Sequence, residues 1–539
     1  MDSRQEWVSG DAAPALCPGR RRFAILCPGN GVPLWQAVCV RALTGVAELA
    51  AVLTAPIPAN PQGLFRRGVA AAVGLKGSAV GLCDPAAHLS DVPRLPMMAD
   101  GVALGVDFVL ALVPPEVAAR RAPWPAMVWH LRVDGGHDDL PGLRQAAHAR
   151  RTMAVEVIAT GGGLAAERLL HRAVLKTRRS VAGTLAGLTE AAPGVLLGAY
   201  RRAWSGALPP AGDSVARELP QASVFRAAIG QIDRTLRGGA ARLFVRDVWN
   251  IGIIEAPIET ILAGAPLPSP RWLQAPRRGR FHADPFPLHV DGRPWLLFEM
   301  FDEAEGRGWI AATELAGLKA GSAADAPVAL DLGCHMSYPA VFEFGEATYC
   351  VPELSALGGL HLYRMGATCQ EWTEATHVLP GHRLLDPTLF PHENRWWLLA
   401  TLEGPFSDTD LYAWHAPTPL GDWTAHPLNP IKSDAGSARP AGAVFRARGG
   451  LYRPAQDCVK GYGAAVAVNR VLRLDPTVFE ETEVARIVPH RTWPYPDGVH
   501  TLNVCAGGIV IDAKRRETDP FAPLRRMARR IRHRAARPM

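Results

Sequence analysis

Two rhythms of apolar and polar positions divide the chain. Between residues 21 and 200, mostly apolar runs of five to eight residues recur at 23–27 (FAILC), 47–53 (AELAAVL), 107–113 (DFVLALV), 126–133 (AMVWHLRV) and 153–158 (MAVEVI). Such runs suit strands covered on both faces, and most gaps between them leave room for crossover helices, so the spacing predicts an α/β domain over 21–200. The first run passes into Pro28-Gly29-Asn30-Gly31-Val32-Pro33 before Leu34-Trp35-Gln36-Ala37 opens a helix. A glycine turn at a strand's C-terminal end is where open α/β sheets bind ligands. It is not G-x-G-x-x-G, so a dinucleotide cofactor has no motif here. Residues 160–275 show helical spacing, as in 165–176 and 224–236, interrupted by Pro/Gly-rich pieces at 206–212 and 263–276. Residues 201–276 read as a helical connector and linker.

From 277 to 513 the pattern changes to short strands in pairs. Asp284-Pro285-Phe286 precedes Trp295–Glu299 (WLLFE), Tyr338-Pro339-Ala340 precedes 348–353 (TYCVPE), Asp386-Pro387-Thr388 precedes 396–399 (WWLL), and Arg439-Pro440-Ala441 precedes 451–454 (LYRP). A fifth copy, His500-Thr501-Leu502, lacks the proline and precedes 508–512 (GIVID). Turn signals separate the two strands of every copy, among them Asp291-Gly292, Glu393-Asn394 and Gly449-Gly450, so each copy predicts a hairpin. The lead residues Asp284, Tyr338, Asp386, Arg439 and His500 are 54, 48, 53 and 61 positions apart. A period of this length with two hairpins' worth of strand per copy predicts an all-β five-bladed propeller over 277–513. The segment 243–253 (LFVRDVWNIGI) offers a strand that would close the ring.

The first strand of each propeller blade faces the central channel, so the five lead residues should converge. Two carboxylates, a cation, a phenol and an imidazole in one funnel make a polar pocket. His335, Glu353, Arg453, Gln456, Asp457 and Thr501 lie near enough in the repeat to join it, as do His282, Glu299, Glu343 and Asn503. Paired acids flanking a sugar carry glycosidic bond chemistry: one protonates the leaving oxygen and the other activates water or attacks carbon. The reading assigns Asp284 as base or nucleophile, Asp386 as second carboxylate and Glu353 as acid, with Glu343 the next choice. Tyr338, Arg439, His500, His335, Arg453, Gln456, Asp457 and Thr501 would bind substrate. Asp-Pro is also a common turn former, and propeller aspartates tie blades together, so a structural role for the same residues stays open.

Charge changes the picture at one end only. The chain carries 58 Lys/Arg and 51 Asp/Glu. Residues 514–539 alone hold ten basic and two acidic residues, leaving 48 against 49 in the remainder. A basic body for nucleic acid is therefore not expected. The seven arginines of 524–537 suit an anionic membrane face, which predicts a cytoplasmic protein that is peripheral to a membrane. Nine scattered cysteines without C-x-x-C fit a reduced compartment, with no disulfide framework and no zinc site. Residues 1–20 carry Asp2, Glu6 and Asp11 with no apolar core, which does not read as a signal peptide.

Several motifs carry resemblances. The A-D-P-F run ending at Phe286 and the D-P-T-L-F run from Asp386 resemble five-bladed glycosidases of the arabinanase and β-xylosidase type, which implies a general base at Asp284. That family places its next Asp in blade two, where this chain has Tyr338. H-M-S-Y-P (335–339), V-P-E (351–353), L-Y-R (362–364), A-R-P-A-G (438–442), Y-R-P-A-Q-D (452–457) and the V-H-T-L-N run (499–503) resemble, in order, the N-terminal domain of glucosamine inositolphosphorylceramide transferases and their bacterial relatives. That resemblance implies glycan or glycolipid metabolism. In the plant enzymes the glycosyltransferase domain lies further on, and the residues after 513 are too few for one. The N-terminal half is similar to Rossmann-like formyltransferases of the methionyl-tRNA type. In Val128-Trp129-His130, valine stands where those enzymes have Asn, which implies a degenerate formyltransferase-like domain used for binding or scaffold. Three readings result: glycosidic bond chemistry in the funnel, a non-catalytic glycan-binding propeller, and a sugar-amine formyltransferase.

Overall fold

The computed structural model describes residues 20–56, 82–97, 105–121, 124, 126–137, 143–209, 244–315, 326–520 and 523. The chain forms two compact units, Met1–Gly238 and Gly239–Met539.

The first unit is built on a seven-stranded sheet in the order Arg94–Pro96, Glu48–Ala55, Arg22–Pro28, Phe108–Ala111, Met127–Val133, Thr152–Gly161, Arg168–Lys176. The first five strands pair in parallel and the last two antiparallel. Segment 168–176, expected as helix, is the last of these strands. Leu169, Leu170, His171, Ala173 and Leu175 are buried there, a set that lies on both faces of the strand and so mimics helical spacing. The helix Val181–Ser205 begins where Ser180 Oγ accepts a hydrogen bond from Gly183 N at 2.9 Å, and stops at Gly206 in the left-handed region (φ 75°). By length and composition alone it could cross a membrane, but most of it is buried within this unit, as a core helix is. Segments 224–236 and 524–537 fall outside the described residues.

The second unit is a five-bladed β-propeller. Four blades are antiparallel sheets consecutive in sequence, three of them four-stranded and the third five-stranded, with Lys432–Ser433 pairing on Asp410–Ala416. Their inner hairpins are Arg280–Val290 with Arg293–Asp302, Ser337–Phe344 with Ala347–Glu353, Leu384–His392 with Arg395–Leu402, and Phe445–Ala447 with Gly450–Asp457. Three hairpins turn through two residues with positive φ, Asp291-Gly292, Glu393-Asn394 and Arg448-Gly449, the geometry that matches strand twist. The fifth blade joins the two ends of the unit. Leu502–Cys505 and Gly508–Thr518 form its inner hairpin, and Val245–Ile254 pairs antiparallel with Gly508–Thr518 over ten positions, from Val245↔Thr518 to Ile254↔Ile509. The basic run expected to start at 514 as a tail is therefore partly strand: Lys514 is buried, and its Nζ donates to Asp247 Oδ2 at 2.8 Å and to the Tyr462 carbonyl at 2.6 Å. Apolar layers between blades hold the ring; Ile251, Ile253 and Val510 pack with Leu296, Phe298, Met300 and Trp309 between blades five and one.

The closing strand sets a domain test. A fragment of residues 244–520 should fold and melt cooperatively in calorimetry. A fragment beginning at 277 lacks the strand that covers Gly508–Thr518 and should show no cooperative transition. Equal transitions from both would contradict a ring closed by Val245–Ile254.

Candidate functional site: the propeller funnel

Three lead residues share one unusual backbone. Asp284, Tyr338 and Asp386 have φ of 50°, 45° and 50°, and the ladder skips at each of them, between Ala283/Phe286, Ser337/Ala340 and Leu385/Thr388. Each is thus a bulge followed by proline, which cannot donate to the ladder. Left-handed φ at non-glycine residues costs energy and persists only where neighbours fix it. Here the side chains and N–H groups freed by the bulges bond across blades.

Asp284 is buried and joins blades one, two and five. Its Oδ1 accepts from Thr501 Oγ1 at 2.7 Å, and its Oδ2 accepts from Tyr338 N at 3.2 Å. Its own N–H donates to Asp512 Oδ2 at 2.9 Å. Asp512 Oδ1 accepts from His500 N at 3.1 Å and Thr501 N at 2.9 Å. The His500 ring lies between the two acids, with Nδ1 2.7 Å from Asp512 Oδ2 and Nε2 3.5 Å from Asp284 Oδ1. Burial alone would discharge this imidazole, but Asp512 and Asp284 outweigh it and raise its pKa. Burial lifts Asp284 to about 6; His500 offsets part of that, and Asp512 and Asp386 add to it. Asp284, His500 and Asp512 present ligand atoms within 4.8 Å of one another, as a metal would require. The carboxylates of Asp284 and Asp512 also hold protein donors, and the imidazole between them makes no hydrogen bond through Nδ1 among the described residues.

Asp386 is the second centre. Its Oδ2 accepts from Arg439 Nε at 2.5 Å and Gln456 Nε2 at 2.9 Å, while its N–H donates to Glu353 Oε2 at 3.0 Å. Burial, then repulsion by Asp386, pushes the Glu353 carboxyl well above the usual carboxylate range. Tyr338 does not face a ligand. It is fully buried, its hydroxyl accepts from Gly442 N at 2.7 Å and meets Thr388 Oγ1 at 2.8 Å, and its ring meets Phe286 edge-on with centroids 4.8 Å apart. It plugs the axis and so gives the funnel a floor.

At the rim, Tyr462 is 39% exposed, with the Arg439 guanidinium 5.0 Å from its ring centroid and His500 edge-on at 5.2 Å. Trp249, from the closing strand, stacks on His500 at 4.0 Å. The chain passes this point through Gly463 at φ 57°, where a Cβ would stand 2.6 Å from His500 Cβ. Glu299 lies beside His335, 3.8 Å from Nδ1. That nitrogen accepts from Gly308 N at 2.9 Å and burial lowers the His335 pKa, so the two do not form an ion pair. Burial, then repulsion from Asp284, Glu353, Asp512 and Asp386, holds the Glu299 carboxyl well above the ordinary range.

The funnel thus gathers Asp284, Asp386, Glu353, Arg439, His500, Gln456 and Thr501, with His335 at the edge. Two expected ligand-binding residues lie elsewhere. Arg453 is sunk under blade four, bidentate to Glu481 at 2.9 and 2.6 Å and bonded to the carbonyls of Ser437 and Ala438. Asp457 accepts from Val459 N at 2.8 Å and pairs with Arg486. Both are drawn away from the axis by partners on the strand Phe479–Ile487, Glu481 for Arg453 and Arg486 for Asp457. Glu343 points to solvent, and His282 is buried against Asn250 Oδ1 at 3.2 Å. Sequence reasoning passed over Asp512, Trp249 and Tyr462. Asp512 could have been found as the lone acid closing an apolar strand (GIVID). In the first unit, His130 is buried, meets Thr160 Oγ1 at 3.1 Å, and is lowered to about 4 by burial and then by Arg132. Asp134, four residues on, is held by Gln145 Nε2 at 2.7 Å and Ala154 N at 2.8 Å.

These shifts set the sign of a pH dependence. Glu299, Glu353 and His500 all hold protons more tightly when folded, so their stabilisation is lost as pH rises toward their folded values. Lowered groups of this unit, His335, His392 and His415, have finished titrating by about pH 7.5 in the unfolded chain. The buried thiols of Cys350 and Cys369, raised by burial, act in the same direction and ionise in the unfolded chain at about pH 8.5, so the propeller's calorimetric midpoint should fall between pH 7.5 and 9; a midpoint that rises over this interval would contradict the burial of these groups.

Residues 271–493 match the family described as glucosamine inositolphosphorylceramide transferase 1, N-terminal. Glucosamine inositolphosphorylceramide transferase 1 of Oryza sativa subsp. japonica is 36% identical over 211 residues, which covers 38% of this chain and 28% of that protein. The Arabidopsis thaliana protein of the same name is 34% identical over 210 residues, covering 38% and 27%. The chain therefore spans less than a third of the length of these curated relatives. Among solved structures, a thermostable family-43 glycoside hydrolase is similar at 15% identity and TM-score 0.30 over 39% of this chain and 77% of its own. An exo-β-1,3-galactanase from Clostridium thermocellum is similar at 12% identity and TM-score 0.32 over 45% and 56%.

Proposed function

We propose that the propeller funnel binds a sugar conjugate and makes or breaks a glycosidic bond in it. One observation carries this reading: the same funnel holds Asp284, poised at about 6, and glutamic acids that stay protonated well above the carboxylate range. A base and an acid with separated proton affinities are what glycosidic chemistry uses. Asp284 takes a proton from the attacking hydroxyl, a glutamic acid gives one to the departing oxygen, and the Asp386–Arg439 pair fixes their setting. Tyr462 at the rim offers a sugar an aromatic face. The relatives' name directs the substrate class toward a glycolipid carrying an amino sugar. Incubation of the full chain with aryl glycosides of glucosamine, xylose, arabinose and galactose, and with glucosamine-bearing inositol phospholipids, tests the reading by release or transfer of sugar.

A non-catalytic glycan-binding funnel is favoured by a different observation: Asp284 and Asp386 each hold donors from other blades. Binding of these sugars without turnover would decide for it. The arginines of 524–537 would hold the protein to an anionic bilayer. Removing 524–539 should abolish co-sedimentation with acidic liposomes and leave the melting midpoint unchanged, because the strand ending at Thr518 is spared. Undiminished sedimentation would refute the membrane role.

A further inference from the structure

The second strands of blades one and two carry a glutamate at the same register position. Glu299 stands opposite Ala283 and Glu353 opposite Ser337, in each case the residue just before the lead residue. Glu353 uses its position as a staple, accepting the N–H of the next blade's lead residue, Asp386, at 3.0 Å. Asp512 does the same from blade five, accepting the N–H of Asp284 at 2.9 Å. By this pattern Glu299 should accept the N–H of Tyr338. That N–H instead donates to Asp284 Oδ2 at 3.2 Å. The task of Glu299 is taken by its neighbour, and among the described residues its carboxyl accepts no hydrogen bond. His335 Nδ1, 3.8 Å from Glu299 Oε1, is itself an acceptor for Gly308 N. Gly308 leaves room for the carboxyl, since a Cβ there would collide with Glu299 Oε1. A buried carboxyl without a donor is costly as an anion and stable as an acid, and this one sits among four other carboxyl groups beside a half-exposed rim.

We infer that Glu299, released from blade stapling by Asp284, is the proton donor of the funnel, and that Glu353 is a staple. The inference rests on the glycosidic reading above. In the reaction an acceptor hydroxyl, water in hydrolysis, forms the new bond to the anomeric carbon and passes its proton to Asp284. The bond to the departing oxygen breaks with its electron pair on oxygen, which takes the proton from Glu299. Asp284 ends protonated and Glu299 ionised, and one proton exchange with solvent restores both.

Three measurements on the full chain test this. Glu353→Leu leaves the Asp386 N–H unpaired and should lower the melting midpoint by roughly 3 °C or more, whereas Glu299→Leu frees no donor and should leave it unchanged or higher. Glu299→Gln should slow release of sugar from methyl glycosides, whose leaving group needs a proton, by about 100-fold, and from 2,4-dinitrophenyl glycosides by less than about 10-fold. The infrared band of a protonated carboxyl, present at pH 7 in the wild-type chain, should weaken in Glu299→Gln. Equal destabilisation by the two leucine variants, equal slowing of both glycosides, or an unchanged band would each overturn the assignment. If the wild-type chain neither cleaves nor transfers from any glycoside, the glycosidic reading fails, and the midpoints and the band decide by themselves whether Glu299 is an unstapled proton holder.

Discussion

Replacing Asp512 with leucine should lower the stability of the propeller more than any other single change at the axis. The residue is fully buried, and its carboxylate accepts three backbone N–H groups, from Asp284, His500 and Thr501, besides facing the His500 imidazole. Leucine fills the volume and accepts nothing. Each stranded donor costs about 1–3 kcal/mol, and removing one partner of a buried charge pair costs about 3–5 kcal/mol. These terms overlap, and a total of about 4 kcal/mol or more is expected, which for a unit of this size shifts the midpoint by roughly 10 °C. Asp512→Asn keeps acceptor oxygen on the side chain and should cost about half as much. A loss below about 1 kcal/mol for the leucine variant would show that the blade-five carboxylate does not tie the ring.

Asp284→Asn should reduce turnover of any glycoside the protein accepts by at least about 100-fold, since an amide cannot take the proton. Removing one of several nearby carboxylate charges would by itself relieve repulsion and leave stability unaltered or higher. The structure revises that expectation. The carboxylate holds Thr501 Oγ1 and Tyr338 N at once, and the single amide oxygen serves both less well, so a loss of about 1–2 kcal/mol should accompany the loss of activity. The pH profile separates the roles. With Asp284 at about 6 in the folded protein, the wild-type rate should rise with pH through that region as the base ionises. The acid limb should vanish from the residual activity of the variant. A limb that survives Asp284→Asn would assign the base to another residue.

The repeat made the ring and its axis legible. Five proline- or turn-marked hairpins at a near-constant period sufficed to put Asp284, Asp386, Arg439 and His500 at one centre. Direction at the axis was not legible. The bulges place Asp284, Tyr338 and Asp386 in left-handed backbone, and this turns Tyr338 into a plug and the two acids toward neighbouring blades' donors. No propensity scale announces such a conformation for Asp or Tyr, because it is imposed by packing. Arg453 was misplaced because a cation in a strand reads as exposed or functional until its partner Glu481, on the outermost strand, is seen. Trp249 was missed for a related reason: the fifth blade is assembled from distant segments, so its closing strand has no counterpart in the repeat, whereas Asp512 lies on the second strand of the fifth copy and was legible there. Segment 168–176 misled through burial on both faces, which leaves no period of two to read.

The way the ring is closed also fixes when the funnel can exist. Val245 pairs with Thr518, so 273 residues must follow the first strand out of the ribosome before its partner is available. At about 5–20 residues per second this is a wait of roughly 14–55 s. Until then blades one to four have an open flank, Trp249 has no His500 to stack on, and Asp284 lacks Thr501 and the carboxylate of Asp512. The acids at the axis therefore acquire their proton affinities only when synthesis of the propeller is complete. A nascent chain stalled shortly before residue 500 would carry most of the fold's strands and none of its chemistry.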